Sequence, residues 1–201
     1  MNRKKFLATS MLAALSMTTF GSISRNKEGN FTGDCETTSD ILGPFYRPKA
    51  PIRSNLMEKG MEGTEIRIKG AVFGEDCASL LEGAMVEIWH CNAAGEYDNT
   101  TRHFRQRARW KTDETGNYFF DTIMPGKYLN GRLYRPAHIH FRVTKNGYKE
   151  LISQIYFAGD PHIENDPWAS ATKAKERILS IIPEDTKGRL VVNFDIYMSR
   201  K

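Results

Sequence analysis

The sequence predicts an all-β fold, an antiparallel β-sandwich with one short C-terminal helix. Short segments of alternating apolar and polar residues follow one another from residue 64 onwards, which is typical of half-buried strands. Turn residues separate these segments, and only one stretch has the apolar spacing of a helix. This combination favours two antiparallel sheets packed face to face, with immunoglobulin- or transthyretin-like layers.

Each element has its own signal. The turn residues Asp-Glu-Thr-Gly at 113–116 indicate a hairpin between the strands on either side. Residues 169–182 have helical spacing, and Pro183 ends that predicted helix. The predicted strands cover residues 64–73, 84–90, 107–112, 117–123, 137–144, 151–157 and 190–198.

The first 24 residues predict a signal peptide that is not part of the fold. Three basic residues at 3–5 precede an uncharged, mostly apolar stretch at 6–20, and small residues follow at 22 and 24. The apolar stretch is too short to span a bilayer, and no later segment approaches that length. We expect an exported protein, periplasmic or secreted. The general secretory route and the twin-arginine route both stay open, because residues 3–7 loosely resemble a twin-arginine leader.

The remaining chain predicts one domain preceded by an arm. Residues 25–55 form the predicted N-terminal arm, which is polar up to residue 40 and held extended by Pro44 and Pro48. Residues 56–201 form the predicted sandwich domain. The formal charge is +5, but three of the basic residues lie in the leader. No basic run indicates nucleic-acid binding.

Three cysteines, Cys35, Cys77 and Cys91, allow one disulfide with one thiol left over in an exported protein. The sequence does not choose the pair, and Cys91 could equally be a buried thiol. No C-x-x-C spacing supports a structural metal.

Two histidines on one strand give the strongest indication of function. Side chains alternate along a strand, so His138 and His140 share one face while Ile139 and Phe141 take the other. Two imidazoles two residues apart form half of a metal site. A bare H-x-H is more often a pair of half-exposed strand histidines, so its surroundings decide the interpretation.

Two tyrosines on glycine-containing loops complete the candidate set. Tyr97 follows the strand at 84–90, and Tyr128 follows the strand at 117–123. Either tyrosine alone is more often a packing residue. Both, however, lie at strand ends, where functional sites are commonly built.

These residues occur in segments that resemble the intradiol ring-cleavage dioxygenases. The resemblance covers nearly the whole chain after the leader, and it is closest to the protocatechuate 3,4-dioxygenase branch and its small exported relatives. We expect the chain to lack the long helical N-terminal segment of the catechol 1,2-dioxygenases. The matching segments are GPFYRP (43–48), VEIWHCNAAGEY (86–97), TDETGNYFFDTIMPGKY (112–128), RPAHIHF (135–141) and LISQIYFAGD (151–160).

The resemblance implies one Fe(III) ion per chain, held by Tyr97, Tyr128, His138 and His140. Tyr128 and His138 would be axial ligands, and the other two equatorial. Anionic oxygen donors suit the hard ferric ion. The same ligand set counts against zinc and against a ferrous site with two histidines and one carboxylate.

The implied activity is insertion of both atoms of O2 into a catechol-type ring. Cleavage between the two hydroxylated carbons gives a muconate-type diacid. Tyr128 would serve as the base, and Arg135 would stabilise negative charge on the ring. Gln154 matches an outer residue of the site, and Tyr46 is a candidate substrate contact. We expect His90 to pack behind the site, and His103 and His162 to be surface or loop residues.

Two alternatives and several questions stay open. One alternative is an exported β-sandwich binding module that keeps the scaffold without turnover. The other is a zinc hydrolase on the two histidines, which lacks a third ligand. Leu129 stands where protocatechuate enzymes tend to carry an aromatic residue, so the preferred catechol is undetermined. A lone subunit, a monomer and a homo-oligomer all remain open.

Overall fold

The computed structural model describes residues 23–25, 31–183 and 190–201. Most of the predicted leader therefore lies outside the described residues. No described helix is long and apolar enough to cross a membrane. The strands of the described chain are β1 (Ile23–Arg25), β2 (Phe31–Gly33), β3 (Glu65–Phe73), β4 (Met85–Trp89), β5 (Arg107–Lys111), β6 (Asn117–Ile123), β7 (Tyr128–Asn130), β8 (Leu133–Arg135), β9 (His138–Thr144), β10 (Leu151–Phe157), β11 (Ile178–Leu179), β12 (Ile182–Pro183), β13 (Leu190–Asn193) and β14 (Ile196–Tyr197).

Two five-stranded sheets form the predicted sandwich. The first has the order β11-β10-β9-β4-β5, and we call it the site sheet. In the second sheet, β3 lies between β6 and the short strands β13 and β14, and β12 lies outside β13. The long strands pair antiparallel, whereas β11 joins β10 in parallel and β13 and β14 join β3 in parallel. The all-β prediction is confirmed.

The core lies between the sheets because alternate residues of both point inwards. Ile139 and Phe141 of the site sheet and Ile68 and Phe120 of the second sheet are fully buried members of one apolar cluster. Burial of such side chains is the dominant favourable term in folding.

The predicted hairpin at 113–116 is wrong in its pairing. The turn exists, since the Gly116 amide donates to the Asp113 carbonyl at 2.9 Å. However, β5 before it pairs with β4, and β6 after it pairs with β3. The turn therefore carries the chain from one sheet to the other.

The predicted helix at 169–182 is also mostly wrong. A 3-10 helix spans only Thr172–Arg177. Ile178 and Leu179 then pair with Tyr156 and Phe157 of β10, and Pro183 ends a short strand instead of a helix. Packing against the sheet overrides the local helical spacing.

The predicted arm lies along the site sheet. The Asp40 amide donates to the Ile152 carbonyl at 2.8 Å. A disulfide joins Cys35 to Cys77, while Cys91 is a buried free thiol. The arm thus covers the face of the site sheet that turns away from the core.

Candidate metal centre

The two predicted histidines lie side by side on β9. The exposed fractions of His138 and His140 are 0 % and 1 %, and their ring centroids are 5.0 Å apart. Ile139 and Phe141 face the core, as the alternation predicts. Both imidazoles therefore lie on the outer face of the site sheet, where the arm covers them.

His138 has one ring nitrogen fixed and the other free. Its Nδ1 lies 2.7 Å from the Pro136 carbonyl. Because a carbonyl only accepts, Nδ1 must carry the proton. Nε2 is then an unprotonated acceptor, buried without a partner. Burial and the nearby Arg135 lower the pKa of His138 to about 3, so the ring is neutral at neutral pH, as metal binding requires.

His140 is held between an aromatic ring and the arm. Its ring stacks on Trp89, with centroids 4.8 Å apart. On the other side, a Cβ atom at Gly43 would lie 3.0 Å from the His140 ring, and Gly43 has a φ of +71°. Glycine is therefore needed for the arm to pass this close. The Nδ1 atom of His140 is buried without a partner.

The Tyr97 loop reaches the site by packing on the Tyr128 loop. A Cβ atom at Gly95 would lie 2.3 Å from the Lys127 carbonyl oxygen, so glycine permits this approach. The Tyr97 ring stacks on Phe45 at 4.2 Å. Its hydroxyl is buried without a partner, and burial raises its pKa.

The Tyr128 ring lies close to both Tyr97 and His138. Its ring centroid lies 5.8 Å from that of Tyr97 and 5.5 Å from that of His138. It begins β7, and the β7–β8 pairing places it directly opposite Arg135. Burial raises the pKa of the Tyr128 hydroxyl, and the nearby Arg135 guanidinium partly offsets this. All four predicted ligands thus meet in one cluster.

Arg135 is buried in a polar network beside this cluster. Its Nε donates to Asp166 Oδ2 at 2.8 Å, and its Nη2 lies 3.2 Å from Gln154 Oε1. Trp168 lies under the guanidinium, 4.5 Å from ring centroid to Cζ. Burial disfavours the charged form, but the Asp166 carboxylate outweighs this and raises the pKa of Arg135.

Gln154 lies directly opposite His140 in the β9–β10 ladder and is fully buried. Its amide nitrogen donates to the Ile41 carbonyl at 3.0 Å and to Asp40 Oδ1 at 3.3 Å. These bonds turn its carbonyl oxygen towards Arg135. The amide therefore connects the arm to the arginine.

Tyr46 lies one ring away from the histidines. Trp89 is between them, with its centroid 5.0 Å from that of Tyr46. The Tyr46 hydroxyl accepts from Arg142 at 3.2 Å. This geometry favours a packing role, and contact with substrate stays a prediction. Phe45, its neighbour, is the arm residue that touches both tyrosines.

The other three histidines stand apart from the cluster. His90 is fully buried, with Nδ1 2.7 Å from the Cys91 carbonyl and Nε2 2.8 Å from the Thr122 hydroxyl. Both nitrogens are used, so it has no free ligand atom. His103 is exposed, and His162 is half-buried in a loop.

A cavity of about 520 Å³ lies between residues 58–62 and 92–106. Tyr97 lines it, but Tyr128, His138 and His140 do not. The cavity therefore follows the outside of the Tyr97 loop, and the site itself is defined by its free polar atoms.

The donor set fits a hard metal ion. Tyr97 Oη, His138 Nε2 and His140 Nδ1 are buried without partners, and such atoms each cost about 1–3 kcal/mol unless something binds them. No cluster of three or more His, Cys, Asp or Glu side chains suited to a metal occurs in the described chain. Phenol oxygens with imidazoles match ferric iron better than zinc.

Comparison with known proteins identifies the family. A sequence model of the dioxygenase family matches residues 41–199. A catechol 1,2-dioxygenase of Candida albicans is 35% identical over 153 residues, which is 65% of this chain and 50% of that protein. A chlorocatechol 1,2-dioxygenase of Rhodococcus opacus is 31% identical over 201 residues, which is 88% of this chain and 75% of that protein.

Comparison with solved structures supports the same family. The dioxygenase domain of a carbohydrate-binding fusion protein from Streptomyces sp. SirexAA-E has a TM-score of 0.72 at 26% identity, covering 83% of this chain and 99% of that one. An Acinetobacter catechol 1,2-dioxygenase has a TM-score of 0.72 at 27% identity, covering 82% and 63%. The chain belongs to the intradiol ring-cleavage dioxygenase family. It spans about half of some curated relatives and three quarters of others. The protocatechuate branch stays a prediction.

Proposed function

We propose that the protein is a non-haem Fe(III) intradiol dioxygenase that inserts both atoms of O2 into a catechol-type ring and produces a muconate-type diacid. One observation carries the proposal. Polar atoms of Tyr97, His138 and His140 are buried without partners in the ring cluster that includes Tyr128, and this donor set suits a metal ion.

In this proposal Tyr97, Tyr128, His138 and His140 hold the iron. Burial raises the pKa of the Tyr97 hydroxyl, so its phenolate form needs a nearby cation, which a ferric ion provides. Bound ferric iron would supply a Lewis acid that holds the catechol as its dianion and makes the ring reactive towards O2.

The chain's own groups have separate roles. The catechol loses two protons as it becomes the dianion. The Tyr128 phenolate oxygen accepts one of them, and the other passes to solvent. The Arg135 guanidinium, opposite Tyr128 in the β7–β8 ladder, stabilises negative charge on the ring. Gln154 orients the guanidinium, and Phe45 covers the tyrosines and excludes water.

The substrate class is a catechol, with O2 as co-substrate. Both the catechol 1,2- and protocatechuate 3,4-types fit this proposal. The catechol and chlorocatechol names belong to the relatives. Leu129, next to Tyr128, is exposed and is our first candidate for selecting ring substituents.

We also propose that the protein is exported. The Cys35–Cys77 pair suits an oxidising compartment, in agreement with the leader-like first 24 residues. Thiol titration of the purified protein should give one thiol per unfolded chain without reductant and three with it. Three without reductant would contradict export in an oxidised form.

The test of the activity is the visible absorption spectrum of the iron-loaded protein, before and after anaerobic addition of catechol. A tyrosinate bound to ferric iron gives a red-brown band, and bound catecholate moves it to longer wavelength. Tyr97→Phe should weaken the band, and Tyr118→Phe, on a core tyrosine, should leave it unchanged. A folded protein that stays colourless after iron loading would favour the binding module.

A further inference from the structure

The Asp166 carboxylate binds one edge of the Arg135 guanidinium. The carboxylate accepts from Nε at 2.8 Å and from Nη2 at 3.4 Å, and both side chains are almost fully buried. Two hydrogen bonds fix a planar guanidinium in position and in plane, which a single contact cannot do.

The carboxylate is itself fixed by its own loop. Asp166 Oδ1 accepts from the backbone amides of Trp168 at 3.0 Å and Ala169 at 2.8 Å. The Asp166 carbonyl accepts from the Ser170 hydroxyl at 2.7 Å. The loop therefore closes on itself around Asp166, so the carboxylate cannot move without breaking several bonds.

The remaining sides of the guanidinium are also occupied. Trp168 lies against its face, and Nη2 meets Gln154 Oε1 at 3.2 Å and the Tyr156 hydroxyl at 3.4 Å. Tyr128, directly opposite Arg135 in the β7–β8 ladder, is the neighbour of the guanidinium that belongs to the candidate site. This arrangement determines where the positive charge lies relative to Tyr128.

We propose that Asp166 is a positioning residue, which acts on the reaction by holding Arg135 against Tyr128. This rests on the proposed dioxygenase function. A purely stabilising ion pair is a poor explanation, because desolvation of a buried pair offsets much of its attraction, and apolar replacements are often neutral. A fixed orientation is what the bonds to Trp168 and Ala169 add.

The first experiment is a double-mutant cycle on turnover of catechol by the iron-loaded enzyme. Asp166→Asn keeps the shape but weakens the acceptor for Nε. We expect kcat to fall roughly 10- to 100-fold, as for partners that orient groups in metal sites, with KM nearly unchanged. Arg135→Met should lower kcat at least as much, and the double variant should equal Arg135→Met alone. Losses that multiply would overturn the proposal.

A partly exposed ion pair in the second sheet serves as a control. Arg67 and Asp121 form another two-bond pair, at 2.7 and 2.8 Å, away from the candidate site. Asp121→Asn removes the same kind of interaction and should leave kcat unchanged. If Asp121→Asn lowered kcat as much as Asp166→Asn does, the effect would be one of general stability, and the proposal would be wrong.

The second measurement does not need iron or activity. In the metal-free protein, the Arg135 Nε–H should give an NMR signal protected from solvent exchange, and Asp166→Asn should remove this protection. An unchanged signal would contradict the positioning role even if the enzyme is active. If Asp166→Asn does not fold, Asp166→Glu, which moves the carboxylate by one methylene, should keep the signal but lower kcat severalfold. Wild-type kcat in that variant would overturn the proposal.

The measurements distinguish a failure of the dioxygenase proposal from a failure of the positioning proposal for Asp166. A wild-type protein that binds iron but leaves catechol intact contradicts the dioxygenase function, while the NMR signal still tests the Asp166–Arg135 geometry. An active wild type with an equally active Asp166→Asn contradicts only the positioning role.

Discussion

The two faces of strand β9 are equally buried and chemically opposite. Ile139 and Phe141 on one face are 0 % exposed, and His138 and His140 on the other are 0–1 % exposed. The apolar face packs against the second sheet and stabilises the fold. The polar face holds nitrogen atoms without partners, which destabilises the metal-free chain. Burial alone therefore does not distinguish core from site, whereas unsatisfied polar atoms do.

The largest effect is expected from the polar face. His138→Ala removes a proposed ligand and should abolish iron binding. We expect turnover to fall by more than roughly 100-fold, since loss of even an outer partner in a metal site costs 10–100-fold. Iron content per chain and O2 uptake with catechol measure this. His103→Ala, on an exposed loop, is the control. A variant without His138 that still binds one iron would refute the ligand assignment.

The apolar face should show the reverse pattern. Phe141→Ala leaves a cavity between the sheets and should lower the free energy of unfolding by about 3–5 kcal/mol, measured by urea titration. The folded fraction should still bind iron. Phe119→Ala, at a partly exposed ring, should cost much less. Loss of iron in folded Phe141→Ala would mean that the two faces are not separable.

The buried His90 should make the metal-free protein sensitive to acid. Burial lowers the pKa of His90 to about 4, below its value of about 6.5 in unfolded chains. Below pH 6.5 the unfolded state binds more protons, so stability falls as the pH falls towards 4. At pH 5 the loss from this group is about 2 kcal/mol. In His90→Gln the difference in unfolding free energy between pH 7 and pH 5 should shrink by that amount, and in Phe119→Ala, which removes no titratable group, it should not.

The smallest expected effect comes from comparing two buried tyrosine hydroxyls, one with a hydrogen-bond partner and one without. Tyr118→Phe removes a hydroxyl that donates to the Phe194 carbonyl at 2.6 Å and should cost about 1 kcal/mol. Tyr97→Phe removes a hydroxyl without a partner and should leave the metal-free protein as stable or more stable. Thermal melting of both variants checks this. Equal destabilisation would show that Tyr97 has a partner in solution.

The strands and the cluster of two tyrosines and two histidines were predictable because their signals are local. Alternation located β3, β4, β6, β9 and β10 to within a residue or two. It also placed His138 and His140 on the face opposite Ile139. The tyrosines and histidines lie in continuous sequence motifs, so the resemblance to a known family could identify them.

The rest depends on contacts between distant residues. Ile178 and Leu179 continue a helical pattern, yet they pair with β10. Asp166 lies in a loop without periodicity, 31 residues from the arginine it binds. Asp40 and the pairing of Cys35 with Cys77 have no local signal either. Such pairs of residues can be identified only from the folded structure, because nothing in the local sequence links them.

Thermal unfolding with and without iron tests the central claim most directly. Iron that binds the folded state raises the melting temperature by mass action. We predict a rise in the wild type and in Phe119→Ala, a smaller rise in Tyr97→Phe, and none in His138→Ala. If iron stabilised His138→Ala as much as the wild type, the polar face of β9 would not be the metal centre.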